Sequence, residues 1–321
     1  MSKKVFVTGA GGAIGFWLTK ELIARGNKVT IVDRFIHKNQ DTAFNEMLEM
    51  DAVTFHKVDL CNYESLNQID CDFDYIYHLA AYNGTNNFYT SPFDVLVNST
   101  IPTINVLKWA SKAKDKPKII YSSSSEAYAG AVTHYSAQVP TSEDVHLVID
   151  DPKNVRWSYG GSKLHGELAC FAAFSQYEIP CTVLRYHNVY GERMGLNHVI
   201  PDFISRSLKG VYELYGSEDT RSFIHVKDAV SATIAAAESI TTTGDIVNIG
   251  SDQEIKIIDL AMIILKIMGI DSEIKIYDSP KGSVLRRCPD ITKLRLIHPN
   301  VINIPLEEGL KDVIADIKTN K

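Results

Sequence analysis

Tyr159 and Lys163 stand four residues apart in the run Tyr159-Gly160-Gly161-Ser162-Lys163. On a helix that spacing puts a phenol and an ammonium on one face. A nearby positive charge favours the phenolate, so the pair suits removal of a proton from a substrate hydroxyl. The same spacing serves a solvated helix face equally well. What gives it chemical meaning is a second motif, the run Thr8-Gly9-Ala10-Gly11-Gly12-Ala13-Ile14-Gly15. It follows the apolar stretch Val5-Phe6-Val7 and leads into a helical stripe of Ile14, Trp17, Leu18 and Leu22. In such a strand-to-helix turn Gly9 permits the tight turn, Gly12 admits a pyrophosphate to the backbone, and Gly15 allows close packing. The phosphates then lie at the helix N-terminus beside Ala13 and Ile14. The next apolar run, 29–32, leads into Asp33, which is placed to accept hydrogen bonds from an adenosine ribose and to repel a 2′-phosphate. Arg34 beside it is the residue that would soften this preference. The two motifs together predict NAD as the hydride acceptor and Tyr159 as the proton acceptor.

These residues need a scaffold. Short β-branched runs at 4–7, 29–32, 53–58, 75–79, 119–122 and 181–186 alternate with helical patterns at about 13–25, 93–113 and 158–177. That alternation predicts an α/β protein with a doubly wound parallel sheet of Rossmann type. The last third reads differently. A helix near 199–209, a strand at 212–215, a helix from 228 to 238, a strand at 246–249, a helix at 257–268, a strand at 274–277 and a helix from 306 predict a smaller C-terminal α/β lobe. The division expected is 1–185 for NAD and 186–321 for substrate, with an interleaved boundary.

Composition narrows the function. The 321 residues carry a net charge of −6, which argues against a nucleic-acid partner. No run is long and apolar enough to span a membrane, and no signal peptide is read. The five cysteines form no C-x-x-C pair, so no metal site is expected and reduced thiols in the cytoplasm are. His78, His187 and His225 are expected to be packed or hydrogen-bonded rather than to bind a metal.

The motifs resemble the extended short-chain dehydrogenase/reductases that act on nucleotide sugars. The matching pieces are the glycine loop, Asp33, Asp59-Leu60, His78-Leu79-Ala80-Ala81, 122–128, Tyr159/Lys163, 185–191, 221–228 and Arg287-Cys288-Pro289-Asp290. The resemblance implies that Asp59 and Leu60 flank the adenine and that Leu79, Ala80 and Ala81 line the cofactor path. It implies that Ser124 shares the reacting hydroxyl with Tyr159. It places Asn188 beside the sugar diphosphate, and gives Arg221 and Arg287 the task of gripping it, with Arg286 as an alternative to Arg287. A rigid guanidinium fork suits phosphate oxygens.

Members of this family oxidise the sugar at C4 and differ in the fate of the 4-keto sugar. Glu126, two residues after Ser124, stands where dehydratases and decarboxylases carry a glutamate, and its plain alternative is a carboxylate held by loop amides. Ser125 supplies no acid for water loss, so the reading favoured from sequence is a 4-epimerase or 4-dehydrogenase of a nucleotide-diphosphate sugar. The alternatives are a 4,6-dehydratase or a uronate decarboxylase using Glu126, and, from another class, a non-catalytic binding protein on the same fold. The segment 133–156 carries no motif, and Glu192 replaces the family's proline after Tyr190-Gly191. The resemblance also implies a homodimer built on the helices near 93–113 and 158–177.

Overall fold

The computed structural model describes residues 2–34, 41–279 and 284–319. Seven strands form one sheet: β1 (Lys4–Thr8), β2 (Lys28–Asp33), β3 (Val53–Lys57), β4 (Tyr75–His78), β5 (Lys118–Ser124), β6 (Cys181–Tyr186) and β7 (Asp245–Ile249). Their order is β7-β6-β5-β4-β1-β2-β3, and every pairing is parallel. The order reverses between β1 and β4, which opens a crevice at the C-terminal ends of those strands. β5 and β6 are rich in buried residues because both faces of the sheet are covered.

On one face lie α1 (Ala13–Ala24) and a later helix, Val226–Glu238, which contribute Phe16, Leu18, Leu22, Val230 and Ile234 to a single core. On the other lie the long helices α2 (Pro92–Ala110) and α3 (Trp157–Tyr177), with Val106, Leu107, Trp109, Cys170 and Ala173 against the sheet. A third core belongs to the smaller lobe, where the helices Val199–Ser207, Ile257–Met268 and Leu306–Thr319 pack around Phe203, Ile264 and Leu310. That lobe also holds a three-stranded sheet in the order Glu254–Lys256, Thr220–Ser222, Arg286–Arg287. No helix among the described residues is long and apolar enough to cross a membrane.

One assignment changes. The strand read at 246–249 as part of the smaller lobe is β7 of the large sheet, in register with β6 from Asp245↔Thr182 to Ile249↔Tyr186. The helix before it, Val226–Glu238, packs on the sheet beside α1. The chain thus leaves the sheet after β6, builds part of the lobe, returns for β7 and leaves again. Strand partners so far apart in sequence leave no local trace of their pairing.

Candidate active site

The glycine loop joins β1 to α1 at the crevice. Gly9 has φ +73°, and a Cβ there would come within 2.8 Å of the Ala80 amide nitrogen. A Cβ at Gly15 would come within 2.2 Å of the Gly9 carbonyl oxygen. Neither position accepts a side chain, so the loop is a backbone-only cradle. No side chain caps α1 at Gly12, and no acidic residue lies in its first turn. The first-turn amides of Ala13, Ile14 and Gly15 therefore present the positive end of the helix with no acidic side chain of the helix's own first turn against them. Asp33, at the end of β2, accepts a hydrogen bond from the Gly11 amide at 3.0 Å and so braces the loop. Arg34 points elsewhere: it donates to Asn98 Oδ1 at 2.8 Å and lies 3.9 Å from Asp59. Asp59 is exposed, Leu60 is buried, and Leu79, Ala80 and Ala81 are half-buried along the crevice. This set of groups fits a dinucleotide.

Thr8 Oγ1 accepts from the Leu79 and Ala80 amides, each at 3.1 Å, and meets His78 Nδ1 at 2.9 Å. Across the ring, His78 Nε2 meets Thr103 Oγ1, whose hydroxyl donates to the Ser99 carbonyl. Thr103 must therefore accept from Nε2–H, which leaves Nδ1 to accept from Thr8. Burial, with the charge of Lys163, pushes the His78 imidazole down to about 3, so it is a neutral structural link beneath the Leu79–Ala81 turn.

The crevice continues to the end of β5. Ser124 is the last residue of that strand; its hydroxyl accepts from the Glu126 amide at 3.2 Å and acts on the Tyr159 phenol to lower it. Lys163, one turn along α3, donates to the Ser122 carbonyl at 2.6 Å, with its ammonium 5.6 Å from the centre of the Tyr159 ring. Burial, partly offset by the nearby Glu167 carboxylate, pushes the Lys163 amine down to about 8. The Tyr159 phenol stands above its ordinary value, first because it is buried and second because the Glu126 carboxylate faces it; the Ser124 hydroxyl works the other way. The lowering of Tyr159 is expected from Lys163 together with the positive nicotinamide ring; in the protein without that ring, burial and Glu126 prevail. Below this surface Glu167 receives a two-armed bond from Arg185 at 2.8 and 2.9 Å and one from Ser123 at 2.5 Å, which fixes α3 to β5 and β6.

Glu126 lies in the turn Ser125–Tyr128, which follows Ser124. Its Oε1 is 2.6 Å from Arg287 and its Oε2 is 3.3 Å from Arg156. Burial opposes ionisation of Glu126, but the charges and hydrogen bonds of the two arginines outweigh it and hold the carboxyl below the ordinary carboxylate range. Arg287 sits in register beside Arg221 on the neighbouring parallel strand. Burial, with the charge of Arg287, pushes the Arg221 guanidinium down to about 10. Arg221 donates to the Thr220 carbonyl at 2.8 Å and approaches Asp219 at 3.5 Å. Strand alternation decides between the adjacent arginines: Arg287 turns inward, while Arg286 is exposed and pairs with Glu254. Asn188, at φ +38°, donates to the Ser222 carbonyl at 2.9 Å and ties the exit of β6 to the Arg221 strand.

Arg156 and Arg287 therefore meet on Glu126, whose charge reaches Tyr159, and Arg221 lies in register beside Arg287. Arg156 is a residue the sequence reading missed; its place three residues before Tyr159, on the same helix face, was the available signal. The unassigned segment 133–156 begins in the helix Ala129–His134. It is then stitched to the Arg287 strand, where the Thr141 amide donates to the Cys288 carbonyl at 2.9 Å and the Asp290 amide to the Thr141 carbonyl at 2.9 Å. His225 also has more company than expected. Glu192 and Asp312 come together with it, and the Lys227 ammonium lies 3.0 Å from Glu192 and 3.5 Å from Asp312 as their cation.

Residues 5–250 match the model of the NAD dependent epimerase/dehydratase family. The chain belongs to that family. It is 33% identical over 98% of its length, and 97% of the relative's, to a UDP-N-acetyl-alpha-D-glucosaminuronate decarboxylase of Bacillus cytotoxicus. It is 31% identical to UDP-glucuronic acid decarboxylase 1 of Xenopus tropicalis over 97% of this chain and 71% of that one. Among solved structures, the UDP-glucuronic acid 4-epimerase of Bacillus cereus, in complex with UDP-glucuronic acid and NAD, superposes with a TM-score of 0.85 at 26% identity, covering 99% of this chain and 100% of that one. The fold and family implied by the motifs are those of an NAD-dependent enzyme, with the extended short-chain dehydrogenase/reductase architecture.

Proposed function

We propose that the protein is an NAD-dependent decarboxylase of a UDP-linked uronate, which oxidises the sugar at C4 and then releases its C5 carboxylate as carbon dioxide. The observation that carries this reading is Glu126, held ionised by Arg156 and Arg287 beside Tyr159. The charge of Glu126 raises the Tyr159 phenol and so works against C4 oxidation. An enzyme needing only hydride chemistry at C4 gains nothing from a carboxylate kept there by two arginines. An enzyme acting next at C5 does. Ser125, buried at 3% exposure, supplies no strong acid beside Glu126 for loss of water, which favours decarboxylation over 4,6-dehydration.

In this reading NAD, when bound, accepts the C4 hydride and brings a positive ring that favours the Tyr159 phenolate. Asp33 and the first-turn amides of α1 hold its adenosine ribose and pyrophosphate, with Asp59, Leu60 and the Leu79–Ala81 turn along its length. Arg221 and Asn188 hold the UDP diphosphate. Tyr159 takes the C4 hydroxyl proton, Ser124 orients that hydroxyl, and Lys163 stabilises the phenolate. The sugar carboxylate enters beside Arg287 and Arg156, so Arg287 serves the carboxylate in place of the diphosphate grip expected from sequence. Facing Glu126, the carboxylate is favoured to leave as a neutral molecule. The C5–C6 bond breaks, its electron pair passes to the C4 carbonyl as an enolate, and C5 takes a proton from solvent.

The test is incubation with NAD and either UDP-glucuronate or UDP-N-acetylglucosaminuronate, with product masses measured. Loss of carbon dioxide is expected. An isomer of unchanged mass would instead make the protein a 4-epimerase, and loss of water a dehydratase.

A homodimer through α2 and α3 belongs to the same reading. On these helices Val106, Leu107 and Trp109 are buried in the chain's own core, Leu164 and Phe171 are half-buried, and Leu168 and Phe174 are exposed. Phe93, at 75% exposure, and Ile101 and Ile104 extend that face along α2. A monomer in sedimentation at micromolar concentration would contradict it.

A further inference from the structure

Phe88 stacks on Tyr159. Their ring centres are 4.8 Å apart and their planes differ by 11°. The pair, with Val95 and the edge of Tyr82, forms an apolar cluster separate from the three main cores, and both rings are 8% exposed. Parallel rings at this separation make a favourable contact beyond the area they bury. Phe88 is delivered there by a built turn. It sits on the short helix Thr85–Thr90, which starts at Gly84 with φ +120°, a backbone conformation open to glycine. The Asn87 side-chain amide closes the turn on the Asn83 carbonyl at 2.8 Å.

The Tyr159 phenol feels Ser124 across the site. Phe88 covers one face of the Tyr159 ring, so the space on that side is filled by an aromatic side chain. The helix Thr85–Thr90 carries no charged residue. The charges that face the phenol come from Glu126 in the turn after β5 and Lys163 on α3, and Tyr121 of β5 lies nearby. What Phe88 adds is therefore packing and exclusion of water.

We infer that Phe88 is a positioning residue for the reaction: it packs on the Tyr159 ring, holds it with its hydroxyl toward Ser124 and keeps solvent from that hydroxyl. The inference rests on the reading of Tyr159 as the base. Nothing about Phe88 is legible in its local sequence, Asn86-Asn87-Phe88-Tyr89-Thr90, which reads as a polar loop.

The test uses protein labelled with tyrosine carrying ¹³C at Cζ, in complex with NAD, and follows the Tyr159 resonance with pH. The resonance is identified by its loss in Tyr159→Phe. Phe88→Leu and Phe88→Met remove the ring while keeping an apolar side chain, and either suffices if the other does not fold. In both, the Tyr159 titration should move to lower pH by about half a unit or more, because burial is what most raises it. Turnover of UDP-glucuronate should fall by about tenfold to a hundredfold with a smaller change in KM. Phe88→Tyr, which keeps the ring, should titrate near the wild-type position, its own added resonance being identified by difference. A Tyr159 titration unmoved in the ring-less variants, or moved equally in Phe88→Tyr, would overturn the role of Phe88 while leaving Tyr159 as the base. Turnover retained in Tyr159→Phe would overturn the base and the inference together.

Discussion

Replacing Glu126 with glutamine keeps the shape of the side chain and removes its charge. Glu126 is bonded to Arg287 at 2.6 Å and to Arg156 at 3.3 Å, with only 17% of the side chain exposed. Unit charges about 4 Å apart interact by about 4 kcal/mol at an effective dielectric near 20. The net worth of a charge-assisted hydrogen bond, after desolvation, is about 1.5–3 kcal/mol. Glutamine retains one acceptor and leaves Arg156, Arg221 and Arg287 around an uncharged amide, so a loss of about 2–3 kcal/mol in stability is expected. The pH dependence has a definite sign. The Glu126 carboxyl lies below its unfolded value of 4.5, so its contribution is complete above that pH and is lost as the pH falls through the lower folded value. The acid limb of unfolding should therefore be shallower in Glu126→Gln. The catalytic effect divides. Removing the charge that raises Tyr159 favours C4 oxidation, so NADH should still form from UDP-glucuronate. Release of carbon dioxide should fall by about a hundredfold or more. The assay pairs absorbance in the NADH band with trapping of labelled carbon dioxide from a C6-labelled substrate. Carbon dioxide released at the wild-type rate, with no accumulation of NADH, would refute the role given to Glu126.

Asp33→Ala should relax the preference for NAD in a fluorescence titration against both cofactors, and equal binding of NAD and NADP by the unmodified protein would contradict the role of Asp33. Arg221→Ala should weaken binding of UDP by about 10- to 150-fold, the equivalent of 1.5–3 kcal/mol, and leave NAD binding intact; unchanged UDP affinity in calorimetry would move the diphosphate site elsewhere. Lys163→Met should stop hydride transfer and raise the unfolding temperature at pH 7. The folded amine, at about 8, lies below its unfolded value of 10.5, so protonated Lys163 costs stability at neutral pH, and the wild type gains stability as pH rises from about 8 toward 10.5. A lower unfolding temperature for the variant at pH 7 would show that its bond to Ser122 outweighs that cost.

Local pattern carried most of the scaffold. The strand Cys181–Tyr186 and the helix Ile257–Met268 have the bounds expected, since an apolar run between turn residues and a strong 3.6-residue stripe are both local signals. The short helices Thr42–Leu48, Thr85–Thr90 and Thr292–Ile297 had no such stripe, and their stability comes from contacts the sequence does not display. The site divides similarly. Tyr159 and Lys163 announce each other by spacing, and the glycine loop by its place between strand and helix. Glu126 stood between a catalytic carboxylate and one held by loop amides, because its partners Arg156 and Arg287 reach it only through the fold. The buried Arg185–Glu167 pair, joining β6 to α3, was equally silent, although Arg185 opens the matched run 185–191 and Glu167 lies on the helix that carries Tyr159 and Lys163.

The most direct test of the account follows the hydrogen at C4. UDP-glucuronate carrying deuterium at C4 is mixed with the NAD-bound protein in a single turnover, and cofactor and products are analysed by mass. The account predicts that deuterium passes from the sugar to the cofactor in the wild type, that carbon dioxide follows, and that Tyr159→Phe binds the sugar without either event. Release of carbon dioxide with no passage of deuterium to the cofactor, or undiminished transfer in Tyr159→Phe, would contradict it.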